Sequence, residues 1–549
     1  MALQAGSRIL TFALNTVIIR NVSREVLGIA AVQLAFLYHS VIFLCREPAR
    51  RVCARTLPND KHAQAKRATL AWACSLVGVV FSALLSLMFF IVSTEEELTS
   101  PQYGTAVALT TIAIAIELLT EPFYLALQAR LLIGARVGIE AMSLVAKCIC
   151  QFLLIRVFGF SLLAFPLSQI LYSVCLLILF ATKFRRSGEN GPNPSFSDVN
   201  PRIGGGELFL QEDIGLLARF SWQTAQKVVL AHGESVVLKF FQSLGDQGSF
   251  SVVSNLGALV VRFLFQPVEE VCFTLFSAQC GKENVTAAAA SSCMNVLQLC
   301  LVLFFYLSLR LPSFSFPVYF HCTLFSPHFL TFLASRPVIS VAATDFDISL
   351  LFLTFTFILL LQKLMSIVGL IFVCFGPGYA FILLDLLYGS RISSHGGPSL
   401  LSCYCFHVAV VGLNGVSEAF VHASSSPTQL TRFNWLLVCF SLTQMTLSSL
   451  AIVFVGTQGL ILVGSLVMAV RIGFSIVYIS QWCSEHSISF HLQQVTPSPV
   501  VLSVFAFSFL GTQFSRIFFP ITSALNDWPN TLAHVGVGCA FLASVLITL

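Results

Sequence analysis

Long apolar runs, separated by short charged or Gly- and Pro-bearing stretches, set the rhythm of this chain. The first six runs fall near 3–22, 27–45, 69–93, 104–127, 137–157 and 161–182. After a break at 183–215 they resume near 217–242, 249–276 and from 289, then at 399–423, 432–456, 458–481, 498–520 and 530–549. A run of about 18 or more apolar residues is long enough to cross a bilayer. In lipid every backbone N–H and C=O needs an internal partner, so only helices or a closed barrel can span. Barrel strands alternate inward and outward residues, whereas these runs are continuous, which predicts helices. The expected fold is therefore an all-α polytopic membrane protein. The break, with SGENGPNPSFSDVNPRIGGG at its centre, has no apolar period and reads as a linker. Its Gly204–Gly206 run lacks the following Lys-Ser/Thr of a phosphate loop.

Composition strengthens this reading. Of 549 residues, 56% are hydrophobic and only 10% charged, with 52 Phe and a mean hydropathy of +0.86. The net charge of +5 is too small to point to nucleic acid, and its distribution is an orientation signal instead. The 46–67 loop carries seven Lys/Arg, 128–136 carries Arg130 and Arg136, and the linker carries Lys183, Arg185, Arg186 and Arg202. Glu95, Glu96 and Glu97 lie on the opposite side. Positive-inside places the N-terminus in the cytosol. MALQAGSRIL has no basic-apolar-cleavage pattern, so no removable signal peptide is expected. Neither sequon, Asn21-Val-Ser nor Asn284-Val-Thr, is expected to carry a glycan. The 17 Cys include no CxxC; the pairs Cys148/Cys150 and Cys403/Cys405 lie in apolar runs and read as small buried hydrophobes. No metal site, no cofactor and no disulfide framework is expected.

Six spans, a linker and further spans suggest duplication, and an offset of 219 residues aligns the halves. VIIR at 17–20 falls on VVLK at 236–239, and Pro48 falls on Pro267. Two repeats of six spans share one orientation, which predicts two lobes related by a pseudo-two-fold axis along the membrane normal. The N-lobe is expected over 1–182, a cytosolic linker over 183–215, the C-lobe over 216–481 and two more helices over 482–549. The same offset sets Arg50 and Arg51 against Glu269 and Glu270, so REPARR and QPVEE end equivalent spans with opposite charge. Arg50, Arg51, Glu269 and Glu270 are the candidate cytosolic gate; headgroup anchoring by the Arg cluster is the plainer alternative. Arg8, Glu117, Lys147, Lys227, Glu234 and Arg262 fall well inside spans, with Arg20 and Lys239 nearer span ends. Each costs about 2.5–3.5 kcal/mol at mid-helix on an insertion scale, so such residues usually face a polar cavity or a partner. Glu117 and Glu121, one helical turn apart, are expected to face partners and not lipid. Basic residues in both halves favour an anionic substrate. No nucleophile–base motif, HExxH or Walker loop occurs, and no enzyme is expected.

SRILTFALNTVIIRNVSREVLGIAAVQL, REPARR, GDQGSFSVVSNLGALVVRFLFQPVEE, FGPGYAFILLDLLYG and GLNGVSEAF resemble the eukaryotic Rft oligosaccharide-lipid translocation proteins. That family belongs to the MOP flippase superfamily, together with the bacterial lipid II flippase and the MATE exporters. The resemblance implies about fourteen transmembrane helices, the endoplasmic reticulum membrane and a role in N-glycosylation. It implies Man5GlcNAc2-PP-dolichol as the partner, moved, or helped to move, from the cytosolic to the lumenal leaflet. Arg20, Arg46, Lys147, Glu234 and Arg262 are the expected substrate-binding residues; with Arg50, Arg51, Glu269 and Glu270 they occupy charged positions typical of the family. The alternatives are a MATE-like cation-coupled antiporter, disfavoured by basic cavity residues, and a non-transporting scaffold. The block 299–362, rich in Phe, Leu, Ser and Pro and ending in Gln362, departs from the family pattern and reads as a translated intron, with a genuine extra hairpin as the alternative. The chain also ends at Leu549 without the basic tail the resemblance leads one to expect.

Overall fold

The computed structural model describes residues 2–55, 61–100, 102–130, 132–185, 199, 211–280, 343–485 and 496–549. Their regular structure is entirely helical. Among the described residues, twelve helical segments are long and apolar enough to cross a membrane. Helices α1 (Ala2–Asn21) and α10 (Gln211–Phe241) stand beside them. The chain divides into two compact units. The first comprises Met1–Val252, Leu387–Gly396 and Leu437–Leu460; the second comprises Val253–Leu386, Gly397–Leu436 and Ile461–Leu549.

In the first unit the second span is not one regular helix. It runs as α2 (Arg24–Gly28), a π turn at Ile29–Leu34 and α3 (Ala35–Arg55). Then come α4 (Lys61–Ile91), the short α5 (Glu95–Thr99), α6 (Tyr103–Leu118), α7 (Glu121–Ala129), α8 (Ile133–Arg156) and α9 (Ala164–Arg185). Helix α4 shows why the bundle is stable in lipid. Its Leu76, Val80, Leu84, Leu87 and Ile91 form an exposed apolar stripe, while Ser75, Ser82 and Ser86 are buried. Small polar residues inside let helices approach closely, and the apolar stripe is left for acyl chains. Leu37 and Val41 of α3, Phe89 of α4 and Tyr103, Ile114 and Leu118 of α6 close the core beneath.

The span expected at 104–127 breaks into α6 and α7, and Pro122 is the reason. Proline has no N–H to give the carbonyl four residues back, and its ring crowds that carbonyl. The Leu118 carbonyl accepts instead from Ser75 Oγ at 2.7 Å, while the neighbouring Glu117 carbonyl accepts from Thr120 N at 3.0 Å and from Arg46 Nη2 at 2.7 Å. The break thus presents Glu117 and Glu121 beside α3. The linker expected at 183–215 lies mostly outside the described residues; α9 ends at Arg185 and α10 begins at Gln211. Within it Val199 is buried, and Trp72 Nε1 donates to its carbonyl at 2.9 Å.

The second span of the other half is built alike, as α11 (Leu244–Val260), a π turn at Val261–Phe265 and α12 (Gln266–Cys280). Residues 299–342 of the suspected intron, and the sequon at Asn284, lie outside the described residues. Residues 343–362 form the start of α13 (Ala343–Tyr388), which continues through them unbroken. There follow the short α14 (Ser390–Ser393), then α15 (Gly397–Ser424), α16 (Pro427–Val455), α17 (Thr457–Glu485), α18 (Pro499–Phe518) and α19 (Trp528–Thr548).

In the second unit Phe276, Phe420 and Trp482 interlock edge to face at 5.5 and 5.1 Å between centroids. His534 of α19 ties the last two helices to α13. Its Nε2 meets the Gly378 carbonyl at 3.2 Å and must donate, so Nδ1 accepts from Ser515 Oγ at 2.8 Å. Its ring stacks on Tyr379 at 4.5 Å. His534→Phe keeps the stack but strands both partners, so it is expected to destabilise by about 1–3 kcal/mol. Thermal unfolding in detergent, with His534→Gln retaining part of the loss, checks this.

Candidate functional site

The first polar centre forms where α3 meets the α6–α7 break. Arg46 Nη1 donates to Glu117 Oε1 at 2.8 Å, and its Nε lies 2.9 Å from Glu121 Oε2. Arg50 grips Glu121 with Nε to Oε1 at 2.6 Å and Nη2 to Oε2 at 2.8 Å, while its guanidinium lies 3.5 Å above the Tyr124 ring. The spacing of Arg46 and Arg50, and of Glu117 and Glu121, puts each pair on one helical face, so the two faces meet as a four-charge set. Tyr38 Oη, Gln169 Nε2 and Ser173 Oγ also donate to Glu117 Oε2, at 2.6, 3.2 and 3.5 Å. Lys147 Nζ donates to Gln169 Oε1, which joins it to the same network. Two guanidinium and two carboxylate charges balance, and buried charges persist only with such pairing.

The second centre lies at the end of the first unit away from the chain's N-terminus, and only part of it was legible beforehand. Glu97 caps α5, accepting from Thr94 N at 3.1 Å, and is only 1% exposed. Lys239 of α10 donates to its two oxygens at 2.8 and 3.0 Å. Gln33 sits in the π turn; its Nε2 donates to Glu97 Oε1 at 2.6 Å and to Gln247 Oε1 at 3.3 Å, and its Oε1 accepts from Tyr103 Oη at 3.1 Å. The surplus residue of a π turn shifts helical phase, which fits its frequent use at functional positions. Beside this set α2 and α11 touch backbone to backbone. A Cβ on Gly28 would strike the Leu244 carbonyl, and one on Gly248 would strike the Arg24 carbonyl. A cavity of about 80 Å³, lined in part by Gln33, Phe36, Phe89 and Lys239, adjoins the ion pair.

Two further features occupy the first unit. His39 of α3 and His232 of α10 stack in near-parallel planes, 9° apart, with centroids at 6.2 Å. Glu234 accepts from Gln444 Nε2 of α16 at 3.0 Å. Arg20, at the end of α1, is exposed beside Gly389. In the second unit Arg471 Nη2 donates to both oxygens of Glu418 at 2.7 Å, Asn414 Nδ2 donates to the same carboxylate, and His422 Nε2 lies 3.5 Å from it.

The residues expected to bind substrate or gate the path are thus distributed unevenly. Arg46, Arg50 and Lys147 share one network, and the first two are charge-balanced within it. Arg51 pairs with Glu47 at 2.8 Å and donates to Gln223 at 2.8 Å. Arg262 is exposed on its π turn. Glu269 packs against Gly415, and Glu270 accepts from Gln266. Sequence reasoning overlooked Gln33, Gln247, Glu418 and Arg471 as site residues; Glu97 was read only as a topological charge. Asn414 and Glu418 lay in view in GLNGVSEAF, where an acidic residue one helical turn after an amide was the available signal.

A multi-pass helical bundle with paired charges inside and apolar stripes outside is the architecture of a polytopic membrane protein. Its fold resembles that of the lipid II flippase MurJ in an inward closed conformation, with a TM-score of 0.57 and 11% identity over 99% of this chain and 98% of that one. It also resembles an inward-facing multidrug resistance MATE family transporter of the MOP superfamily, with a TM-score of 0.51 and 10% identity over 86% and 94%. At these identities the likeness is one of fold. The chain belongs to the Rft protein family, which matches residues 1–325 and 343–549. The match includes 299–325 and 343–362 of the block expected to depart from the family and leaves only 326–342 of it unmatched. Similar proteins include the Man(5)GlcNAc(2)-PP-dolichol translocation proteins RFT1 of Xenopus tropicalis, 30% identical over 98% of this chain and 90% of the relative, and of Mus musculus, 29% identical over 100% and 92%. The Saccharomyces cerevisiae protein of the same name is 23% identical over 88% and 81%.

Proposed function

We propose that this protein translocates Man5GlcNAc2-PP-dolichol across the endoplasmic reticulum membrane, from the cytosolic to the lumenal leaflet, without covalent chemistry. The observation that carries the reading is the near full-length similarity to proteins bearing that name. The site chemistry is compatible: cations for a pyrophosphate, amides and hydroxyls for sugars, and an apolar outer surface for a polyprenyl tail. With the N-terminus in the cytosol, as the basic loops favour, the Glu97–Lys239 end is lumenal. Translocation by alternating access then requires that end to part, and its ion pair and glycine crossing are the contacts to break.

Purified protein in proteoliposomes supplies the test. Fluorescent oligosaccharide lipid should become accessible to an external lectin in both leaflets with wild type, and about tenfold more slowly with Lys147→Ala or Glu234→Ala, a barrier change of about 1.4 kcal/mol. Equal rates with and without protein would overturn direct translocation in favour of a scaffold.

A further inference from the structure

We propose that His39 and His232, together with Lys147, form the anion seat of the first unit and take the pyrophosphate of a lipid-linked substrate. The identity of the ligand rests on the function proposed above; the seat itself rests on charge accounting and geometry.

Arg46 and Arg50 are balanced by Glu117 and Glu121, and Lys239 by Glu97. Lys147 is different. Its Nζ meets the neutral amide oxygen of Gln169, with the Tyr172 ring 6.0 Å away. Glu117 lies within electrostatic reach, but its oxygens already take Arg46, Tyr38, Gln169 and Ser173. One positive charge is left for a ligand.

His39 follows Tyr38, which donates to Glu117 of the same network, and His232 stacks on His39. His39 lies mid-span yet is an exposed residue, and Lys147, Glu117 and His232 are the charged and titratable groups around it. Tyr38 meets it edge-on at 5.0 Å, and Phe36 meets His232 edge-on at 5.8 Å. These contacts fix the ring planes and leave the ring nitrogens alone. Among the described residues no protein group hydrogen-bonds either imidazole. Two histidines with idle nitrogens, stacked next to the network that holds an uncompensated lysine, are costly unless they serve a ligand. Glu234, two residues beyond His232, lies about 200° around the helix and is engaged by Gln444.

Imidazole suits this place better than a permanent cation. An imidazole can be neutral while the seat is empty and charged once it is filled, so the empty seat need not hold three charges together. A phosphate arriving at the nitrogen-bearing edges of the stacked rings favours their protonated forms and gains two charge-assisted hydrogen bonds. Binding therefore takes up protons, and affinity rises as pH falls through the titration of the loaded seat.

The test uses detergent-solubilised full-length protein with farnesyl pyrophosphate as probe; farnesol and inorganic pyrophosphate separate the lipid from the free anion. Wild type should bind farnesyl pyrophosphate about tenfold more tightly at about pH 6 than at about pH 8. The double variant His39→Gln, His232→Gln should flatten this difference to about twofold at most, with unchanged thermal unfolding. The probe's own titration is common to both proteins, so the contrast reads the imidazoles. Calorimetry of wild type in buffers of different ionisation enthalpy gives a second reading that needs no variant, and net proton uptake is expected. The same pH dependence in the double variant, proton release on binding, or no binding of the pyrophosphate overturns the seat. Vesicles that translocate oligosaccharide lipid without pH-sensitive binding would keep the proposed function and remove the seat. PH-sensitive binding without translocation would do the reverse.

Discussion

Glu121→Ala is expected to destabilise the first unit by about 3–5 kcal/mol, the cost of leaving buried charge uncompensated. Glu121 is 1% exposed and receives two bonds from Arg50 as well as the Arg46 Nε contact. Its loss leaves Arg50 with only the Tyr124 ring and Arg46 held only through Glu117 and Thr120. Glu121→Gln keeps the shape and one acceptor, so it should cost less. The double variant Arg50→Leu, Glu121→Leu should recover most of the loss, because an apolar pair of similar volume often replaces a buried ion pair at little cost. Unfolding midpoints in one detergent, arranged as a double-mutant cycle, provide the check. A loss below about 1 kcal/mol for Glu121→Ala would mean that the pair behaves as a solvated surface bridge.

The second large effect is expected at the Gly28–Gly248 crossing. Valine at either position collides with a backbone carbonyl, which cannot move aside as a side chain can. The helices must separate, and with them the bonds of Gln33 and Lys239 to Glu97 and Gln247. If this end is a gate, Gly248→Val shifts the protein towards the open form without unfolding it. Each factor of ten in population requires only about 1.4 kcal/mol. A Gln33→Cys reporter, with other accessible cysteines made serine, should react about tenfold faster with a membrane-impermeant thiol reagent in the Gly248→Val background. Unchanged labelling together with a collapsed melting temperature would identify the crossing as permanent structure.

Periodicity alone revealed the helices and most of their limits, because a membrane span must be both long and apolar. It revealed Glu117 and Glu121 as residues needing partners, because a charge in mid-span has few alternatives. It could not name those partners. Arg46 was assigned to substrate although it pairs with Glu117 across 71 residues of chain, and Lys239 finds Glu97 across 142. Separations of that size are set by packing, which leaves no periodic trace. Pro122 was visible, but the Ser75 donor that takes the freed Leu118 carbonyl, and the Arg46 donor beside it on Glu117, belong to other helices. Phase was hidden for a similar reason: a π turn adds a residue without changing composition, so Gln33 could not be seen as buried.

The pairing of Arg46 and Arg50 with the α6–α7 break also has a history in time. Both arginines are synthesised 71 residues before their carboxylates. At an elongation rate of about 5–20 residues per second, the second span waits roughly 4–14 seconds without its counter-charges. It can wait because both arginines lie near the end of the span, from which their long side chains reach the headgroups. Assembly of this membrane protein therefore includes an interval in which two cations are lent to the lipid surface. Their withdrawal into the bundle awaits the birth of the fourth apolar run.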